Sequence, residues 1–382
     1  MSKYIYQQHQ WTEFTWNDRS IMPLLGEVRH LQGLLMGKMR ALGFSLQQEA
    51  TLHTLTVDVL KTSEIEGEKL NLAQVRSSLA RRLGIEITEW VYADRNVEGI
   101  VEIVLDATRN YWQPLSEERL FGWHAALFPT GRSGLYKIEV GQYRTGEMQV
   151  VSGVMGKEKV HYEAPAPQII KIEMDKFIHW FNSDTHMDPV VKAAIAHLWF
   201  VTLHPFDDGN GRITRALSDM LLSRGDDCSL RFYSMSGQIL KERKKYYAAL
   251  EKTQHGSSDI THWLIWFLTC LKSALLSTED ILQSVLRKAF FWDVHAQTIL
   301  NDRQKLMLNK LLDGFNGKLK TSKWAKITKC SADTALRDIK DLIEKGILKQ
   351  EEAGGRSTNY ELDYNQVNNV GLFDYKYLKK QI

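Results

Sequence analysis

The sequence has few of the residues that mark a disulfide scaffold, a membrane protein or a disordered chain. Its three cysteines, Cys228, Cys270 and Cys330, are far apart and lack CxxC spacing, so neither a disulfide framework nor a zinc site is indicated. No segment approaches the ~20 apolar residues of a membrane span. Residues 1–17 also lack the apolar core of a signal peptide. We therefore expect a soluble, cytoplasmic protein with no membrane partner.

Proline is also scarce, and neither positive nor negative charge is in large excess. Seven prolines, 43% hydrophobic residues and 25% charged residues are typical of a folded globular chain, and 382 residues suffice for two or three domains. The net charge of +3 is too small to indicate wholesale binding to nucleic acid. The charge is uneven, however: residues 301–382 carry 16 basic and 11 acidic residues, a balance of +5, against 33 and 35 before them.

Amphipathic helical patterns dominate what is present. Apolar residues recur at helical spacing over residues 20–83, and again over 96–110 and 116–128, where Ser116 is a plausible N-cap. Helical patterns resume at residue 168. They include two patterns within residues 260–285. The predicted fold class is therefore mainly α.

Two short stretches break the helical pattern. Residues 148–151 and 159–162, separated by Gly153 and Gly156, predict a β-hairpin. The basic tail predicts a separate small domain with a winged helix-turn-helix pattern. Its elements are helices at 304–312, 321–327 and 332–345, a strand at 347–350, a turn at Gly354 and Gly355, and a strand at 359–362.

A twelve-residue loop between two apolar helices, 204–215, carries the chemistry. Glycines at 209 and 211 let the backbone approach an anion, and the start of the following helix points free N–H groups toward it. Arg212 and Arg215 lie on one helical face, and each guanidinium can grip phosphate oxygens. We interpret the loop as a polyphosphate cradle.

Two further residues of the loop suit phosphoryl chemistry. Asp208 supplies the hard oxygen ligand that Mg²⁺ prefers beside phosphates. His204 is the natural general base, because its ordinary pKa near ~6.5 allows it to accept a proton at neutral pH. Phe206, an aromatic residue among polar ones, is expected to anchor the loop in the core.

Residues 204–215 match every defined position of HxFx(D/E)GNGRxxR, and the chain thereby resembles the Fic family. The resemblance implies a mostly helical core that transfers AMP from ATP to a hydroxyl of a target protein, releasing pyrophosphate. It also implies roles for the loop: His204 deprotonates the hydroxyl, Asp208 holds Mg²⁺, Gly209, Asn210 and Gly211 form the anion hole, and Arg212 and Arg215 bind the β- and γ-phosphates.

The same resemblance extends to the flanking segments. The predicted hairpin lies where Fic proteins keep a flap that pairs with the target's backbone. Tyr246 and Tyr247 resemble the tyrosine pair that helps to hold adenosine; packing is the competing interpretation of both.

A short segment before the core resembles the inhibitory motif (S/T)xxxE(G/N) of Fic proteins. It comprises Thr62, Glu66 and Gly67 at the end of an N-terminal helix. The resemblance implies that Glu66 pairs with Arg215 and so occupies the guanidinium meant for the γ-phosphate. Glu66 could also support the reverse reaction, removal of AMP from a modified target.

These patterns together predict three domains: a helical domain at 1–112 with the inhibitory motif, a Fic core at 113–290 and a winged helix at 301–382. Alternatives stay open at this point. The core could instead be the nucleotide sensor of a DNA-binding regulator, in which residues 332–345 would be the recognition helix and Lys318, Lys320, Lys323, Lys326 and Lys329 would contact phosphates. It could also transfer UMP, phosphocholine or phosphate. The target could include the protein itself, and a homodimer is not excluded.

Overall fold

The computed structural model describes residues 3–40, 42–87, 89–152, 159–184, 186–315, 317–351 and 358–363, with the side chains of residues 152 and 279–286 outside the description. The chain divides into two compact units. The first comprises Met1–Arg40 with Ala50–Thr278, and the second comprises Ala41–Glu49 with Glu279–Ile382.

The predicted mainly helical fold is confirmed. A short 3-10 helix, Ile5–Gln7, precedes eleven helices within residues 3–294. They are α1 (Asp18–Arg40), α2 (Phe44–Ile65), α3 (Leu72–Leu83), α4 (Arg95–Arg109), α5 (Glu117–Leu127), α6 (Pro167–Asn182), α7 (Pro189–Leu203), α8 (Asn210–Asp226), α9 (Met235–Lys241), α10 (Arg243–Gln254) and α11 (Thr261–Val294).

The starts of several helices follow from polar caps. Ser116 caps α5 as predicted, because its hydroxyl accepts the amide of Arg119. Asn71 does the same for α3 and Asp94 for α4. The two helical patterns predicted within residues 260–285 form one continuous helix, α11, since its sequence contains neither proline nor glycine to end it.

The core of the first unit is formed by α7 and α8, which pack along each other. Every residue of α7 after Pro189 is buried, including its polar and charged residues. Helix α8 is buried from Ile213 to Ser223. A helix that is apolar on all sides must lie at the centre of its domain. The two helices therefore hold the loop between them on a rigid support.

Two small antiparallel hairpins stand before α6. The first pairs β1 (Arg132–Ser133) with β2 (Tyr136–Lys137) and was not predicted. The second pairs β3 (Gln149–Ser152) with β4 (Lys159–Glu163), within one residue of the predicted strands, with a bulge between Val150 and Val151. Its tip, with Gly153 and Gly156, lies outside the described residues.

The second unit follows the predicted order of elements. Helices α12 (Asp302–Leu312), α13 (Thr321–Thr328) and α14 (Ala332–Glu344) precede the antiparallel strands β5 (Leu348–Gln350) and β6 (Tyr360–Leu362). Their core surrounds fully buried Trp324. Gly354 and Gly355 lie outside the described residues, and assignment to the winged-helix class stays a prediction.

Two further observations concern the state of the cysteines and the lengths of the helices. Cys228, Cys270 and Cys330 are free thiols. Among the described residues, no helix combines the length and the apolar character that a bilayer crossing requires.

Candidate functional site

The candidate site is built on the loop between α7 and α8. His204 ends α7 in the left-handed conformation, with φ of 49°, while its amide donates to the carbonyl of Phe200. Side chains other than glycine rarely adopt this φ, so neighbouring contacts must hold it. Buried Arg144 provides them: its Nε donates to the His204 carbonyl over 2.8 Å, and its amide donates to the Pro205 carbonyl over 2.9 Å.

The ring of His204 is oriented by one backbone contact. Its Nδ1 lies 3.0 Å from the carbonyl oxygen of Val201. Because a carbonyl only accepts, Nδ1 must carry the proton, and in the neutral ring Nε2 keeps its lone pair. Burial lowers the pKa of His204 below its ordinary value, while the charges of Glu66 and Asp208 act in the opposite direction. The neutral, proton-accepting form is therefore favoured.

The middle of the loop is closed by an asparagine. Asn210 Oδ1 accepts the amide of Phe206 over 3.0 Å, and its Nδ2 donates to the Phe206 carbonyl over 2.7 Å. The Phe206 ring is fully buried and stacks on His124 with ring centroids 4.3 Å apart, so the expected anchoring role is confirmed. Burial lowers the pKa of His124 to about 4, which keeps this stacking partner neutral.

The start of α8 presents backbone amides without a side-chain cap. Gly209 precedes the helix with φ of 79°, and a Cβ there would approach Leu127 and Phe128 to 2.9 Å, so only glycine fits. A Cβ at Gly211 would lie 2.1 Å from Oε1 of Glu66. The Glu66 carboxylate thus lies directly against the backbone that the sequence predicts as an anion hole.

Arg215 meets the segment that resembles an inhibitory motif. The guanidinium is 3% exposed; its Nε donates to the Thr62 hydroxyl over 2.7 Å, and its Nη2 donates to the Thr62 carbonyl and to Glu66 Oε1 over 2.9 and 2.7 Å. Gly67 ends the segment with φ of 87°. Arg215 Nη1 is buried without a partner among the described residues, so the guanidinium retains donor capacity.

Arg212 has a carboxylate partner from the same segment. Its Nη1 donates to Glu68 Oε2 over 2.9 Å, and its Nη2 lies 4.0 Å from Asp208 Oδ2. The guanidinium is 8% exposed and lies over the Phe128 ring. Its Nε is buried without a partner among the described residues. Glu68 is not among the residues predicted from the sequence, although the Glu-Gly-Glu spacing repeats the acidic residue two positions on.

Asp208 is held at both carboxylate oxygens. The Ser133 hydroxyl donates to Oδ2, and the Gly209 amide donates to Oδ1 over 2.5 Å. The side chain is 42% exposed. No group of three His, Cys, Asp or Glu side chains that could enclose a metal occurs among the described residues. The donor set, one accessible carboxylate, fits Mg²⁺ bound mainly by phosphate oxygens and water.

The two tyrosines of α10 differ in accessibility. Tyr246 is 2% exposed, and its hydroxyl lies 2.9 Å from His197 Nε2, within the buried interior. Tyr247 is 39% exposed, and Arg243 lies over its ring. Burial raises the pKa of both hydroxyls, and the charges of Glu66 and Arg215 act on both. Tyr246 is therefore enclosed by its neighbours, whereas part of Tyr247 is accessible.

The hairpin β3–β4 has unpaired edges, since within the described residues its two strands pair only with each other. Its Val151 and Val160 are 48% and 40% exposed. Its base is fixed, because the Tyr162 hydroxyl donates to the carbonyl of Thr202 near the end of α7 over 2.8 Å. The hairpin can accept an added strand beside the loop.

Two family models match the chain in separate segments. Residues 4–85 match the domain of unknown function DUF4172. Residues 114–222 match the Fic/DOC family, and the matched segment contains the whole of the loop 204–215. The chain carries a Fic/DOC domain.

Curated relatives of the Fic/DOC domain are named protein adenylyltransferase Fic. That of Drosophila virilis is 29% identical over 231 residues, covering 58% of this chain and 43% of the relative. That of Drosophila mojavensis is 28% identical over 231 residues, covering 58% of this chain and 41% of the relative. The chain spans less than half the length of either relative.

The fold of the Fic/DOC domain and its neighbours has a counterpart among solved structures. A Fic family protein from Desulfovibrio desulfuricans G20 superposes with a TM-score of 0.53 at 20% identity, covering 91% of this chain and 97% of that protein. This likeness concerns the fold alone.

Proposed function

We propose that this chain is a protein adenylyltransferase that transfers AMP from ATP to a Ser, Thr or Tyr hydroxyl of a target protein and releases pyrophosphate. We further propose that Glu66 inhibits it. The observation that carries the proposal is the Glu66 carboxylate, which lies against Gly211 and 2.7 Å from Arg215 Nη2. A carboxylate in contact with an uncapped helix start and a buried guanidinium marks a site that binds anions.

Phosphate binding follows from the same groups. With Glu66 withdrawn, the backbone at Gly209, Asn210 and Gly211 would face the α- and β-phosphates, and Arg212 and Arg215 would bind the β- and γ-phosphates. Two buried guanidinium nitrogens, Arg212 Nε and Arg215 Nη1, have no partner in the part of the chain that the structure describes. They support this assignment, since a phosphate would supply the missing acceptors. Tyr247 is the candidate contact for the adenosine.

The transfer step requires one base. The target hydroxyl oxygen attacks the α-phosphorus, a new O–P bond forms, and the bond from the α-phosphorus to the bridging oxygen of the β-phosphate breaks. Pyrophosphate leaves with that electron pair, and the hydroxyl proton passes to His204 Nε2. The lowered pKa of His204 and the proton fixed on Nδ1 suit Nε2 to this role.

A divalent metal fits the proposal through Asp208. When bound, Mg²⁺ would neutralise the charge that develops on the phosphates during transfer. Asp208 would supply its carboxylate ligand, and the contacts from Ser133 and Gly209 keep that carboxylate beside the loop.

Labelling with α-labelled ATP tests the function. We expect Glu66→Gly to incorporate label into the protein itself or into a cell lysate, and Glu66→Gly/His204→Ala to lose it. No incorporation by Glu66→Gly with Mg²⁺ and a full set of lysate proteins would refute AMP transfer. Competition with UTP and a γ-labelled ATP control separate AMP transfer from transfer of UMP or phosphate.

The reverse reaction is a second candidate, favoured by the position of Glu66. Only one of its carboxylate oxygens pairs with Arg215, and the side chain is 31% exposed, so the other oxygen can orient a water molecule. Incubation of a purified AMP-modified target with the wild-type protein tests this activity. Retention of all the AMP on the target would exclude it.

The second unit is proposed as a winged helix that could bind DNA. Four of the five lysines named for phosphate contacts are exposed, namely Lys318, Lys320, Lys326 and Lys329. Lys318 pairs with Glu351, and half-buried Lys323 lies over the Phe315 ring. Fluorescence anisotropy with duplex DNA at several salt concentrations tests this proposal. A steep loss of affinity with salt is expected, and a flat, weak response would instead favour a protein partner.

A further inference from the structure

The hairpin β1–β2 and the residues after it hold the two aspartates of the loop. The Ser133 hydroxyl donates to Asp208 Oδ2, and the amide of Glu139 donates to Asp207 Oδ2 over 2.9 Å. The hairpin is itself closed, because Arg132 Nη1 donates to the Leu135 carbonyl over 2.9 Å. The Ser133 hydroxyl therefore reaches Asp208 from a fixed backbone.

Asp208 needs this contact because its own surroundings constrain it weakly. The side chain is 42% exposed. Among the described residues, the second oxygen accepts a hydrogen bond only from the amide of the next residue, Gly209, which moves together with it. Arg212 Nη2 lies 4.0 Å from Oδ2, beyond hydrogen-bond distance, so Ser133 supplies the hydrogen bond that comes from a different element.

We propose that Ser133 is a positioning residue for Asp208 and that its hydroxyl sets the affinity for the divalent metal that accompanies ATP. This rests on the proposed function, in which Asp208 binds that metal. Groups that orient a metal ligand affect metal affinity by about 10- to 100-fold in other proteins. Removal of the hydroxyl should therefore weaken metal binding while the fold is retained.

The test measures Mn²⁺ binding by electron paramagnetic resonance in Glu66→Gly saturated with a non-hydrolysable ATP analogue. We expect Ser133→Ala to weaken Mn²⁺ binding about 10-fold or more, and Ser133→Thr, which keeps the hydroxyl, to restore it. Thr130→Ala, an exposed hydroxyl in the same segment, is the matched control and should change nothing.

Asp208→Ala separates this inference from the proposed function. Loss of Mn²⁺ affinity in Asp208→Ala, with parental affinity in Ser133→Ala, would overturn the role of Ser133 and leave the proposed function intact. Parental affinity in Asp208→Ala would refute the metal assignment itself, and the role of Ser133 with it.

A second inference comes from an independent observation, the turn that ends α2. Gly67 adopts φ of 87°, and the amides of Glu66 and Glu68 both donate to the Ser63 carbonyl, over 3.1 and 3.0 Å. This helix-ending turn directs two carboxylates at the loop. Glu66 contacts Arg215 and Glu68 contacts Arg212.

Both guanidiniums proposed for the β- and γ-phosphates are thus paired with carboxylates of one turn. Arg212 is buried to a similar degree as Arg215, and the Glu68 side chain is 35% exposed against 31% for Glu66. Substitution of Glu66 alone leaves the Glu68 carboxylate paired with Arg212. Its negative charge would compete with phosphate for this guanidinium. Arg215 has two additional contacts from Thr62, whereas Arg212 has none from α2 among the described residues.

We infer that Glu68 is a second inhibitory carboxylate that lowers the affinity for ATP independently of Glu66. This inference also rests on the proposed function. Because Glu66 also lies against the backbone at Gly211, the effect of Glu68 should be the smaller of the two. The two effects should combine because each carboxylate pairs with a different arginine.

Isothermal titration with a non-hydrolysable ATP analogue tests the inference in wild type, Glu66→Gly, Glu68→Ala and the double variant. We expect Glu68→Ala to tighten binding about threefold to fivefold in each background, as for a partly exposed ion pair. Glu64→Ala is the matched control, since Glu64 lies on the same turn but pairs with Lys61.

The outcomes separate the role of Glu68 from the proposed transferase function. Equal affinity in Glu66→Gly and the double variant would overturn the role of Glu68, while AMP transfer by Glu66→Gly would still support the proposed function. Tighter binding on loss of Glu68 without any label transfer would support a second carboxylate at a nucleotide site and refute the transferase.

Discussion

The loop 204–209 and the hairpin β3–β4 lie in one Fic/DOC domain but differ in how they are held. The loop is fixed by buried partners: Asn210 closes it on Phe206, and Arg144 binds its carbonyls. The hairpin exposes Val151 and Val160, and its strand β4 is held by the Tyr162 hydroxyl and by contacts of Lys159 and His161 with Glu251 on α10. The contrast suits the proposed roles, in which the loop binds one small reactant in an exact geometry and the hairpin recognises a protein surface.

Substitution of His204, the proposed general base, should give the largest effect. In the Glu66→Gly background, His204→Ala should reduce AMP transfer by about 10²- to 10⁴-fold, the usual contribution of a general base. Affinity for an ATP analogue should change little. His262→Ala, an exposed histidine on α11, is the control. Equal transfer rates in both variants would assign the proton to another group.

The second largest effect is expected from loss of the hydrogen bonds by which Asn210 closes the loop. Asn210→Ala leaves the amide and carbonyl of Phe206 without their partners, which should lower the free energy of unfolding by about 2–3 kcal/mol. Denaturant unfolding measures this, and nucleotide affinity should fall with it. An unchanged midpoint would mean that Phe206 alone fixes the loop.

The ion pair of Glu66 with Arg215, proposed as inhibitory, should have the next largest effect. Glu66→Gly should raise AMP transfer about tenfold or more, because Arg215 becomes available to phosphate. Without ATP, the same variant should lose about 1–3 kcal/mol of stability, since a buried guanidinium loses an acceptor. A thermal melt that recovers on addition of ATP would connect the two effects. A melting temperature that falls and is insensitive to ATP would contradict the proposed exchange of partners.

Substitution in the hairpin should affect the target rather than ATP. Val160→Asp should raise the KM for the protein target about twofold to fivefold, as for loss of one cross-strand apolar pair. The KM for ATP should be unchanged. If both constants rise together, the hairpin is not a separate recognition element and the comparison with the loop fails.

The acidity of His204 gives the smallest and most specific effect. Burial lowers its pKa, so the acidic limb of the pH–rate profile should lie below the ordinary histidine value of about 6.5. The neutral base is required, and activity is therefore retained until the pH falls through this lowered pKa. The charge of Glu66 raises the pKa of His204, so the uncharged variants Glu66→Gly and Glu66→Gln should both shift the limb further down relative to the wild-type residue. A limb above pH 7 would contradict the burial of the ring.

Sequence reasoning found the residues that act through local pattern. Residues 204–215 are contiguous, so one motif reveals His204, Asp208 and both arginines. Ser116 was found as the cap of α5 because a serine directly before an acidic first turn is a local signal. The short hairpin β1–β2 was missed because strands of two residues carry no alternating pattern.

Sequence reasoning found only some of the residues whose contacts join distant parts of the sequence. Ser133 and Arg144 contact the loop from segments 60 to 75 positions away in sequence, and nothing local marks them as partners. Glu68 had a visible signal in the repeated glutamate, but its contact with Arg212 spans 144 positions. Tyr246 and Tyr247 are adjacent in sequence, yet only the packing of α10 separates a buried ring from an accessible one.

The sequence by itself determined the helical class and singled out the loop 204–215 and Glu66 as candidates for the site, because periodicity and contiguous motifs are local properties of a chain. The tertiary structure decided which carboxylate meets which arginine, which tyrosine is accessible and what holds Asp208. Those facts depend on the packing of α2, α8 and the hairpins against one another, where distances of a few ångströms are set by side chains far apart in the sequence.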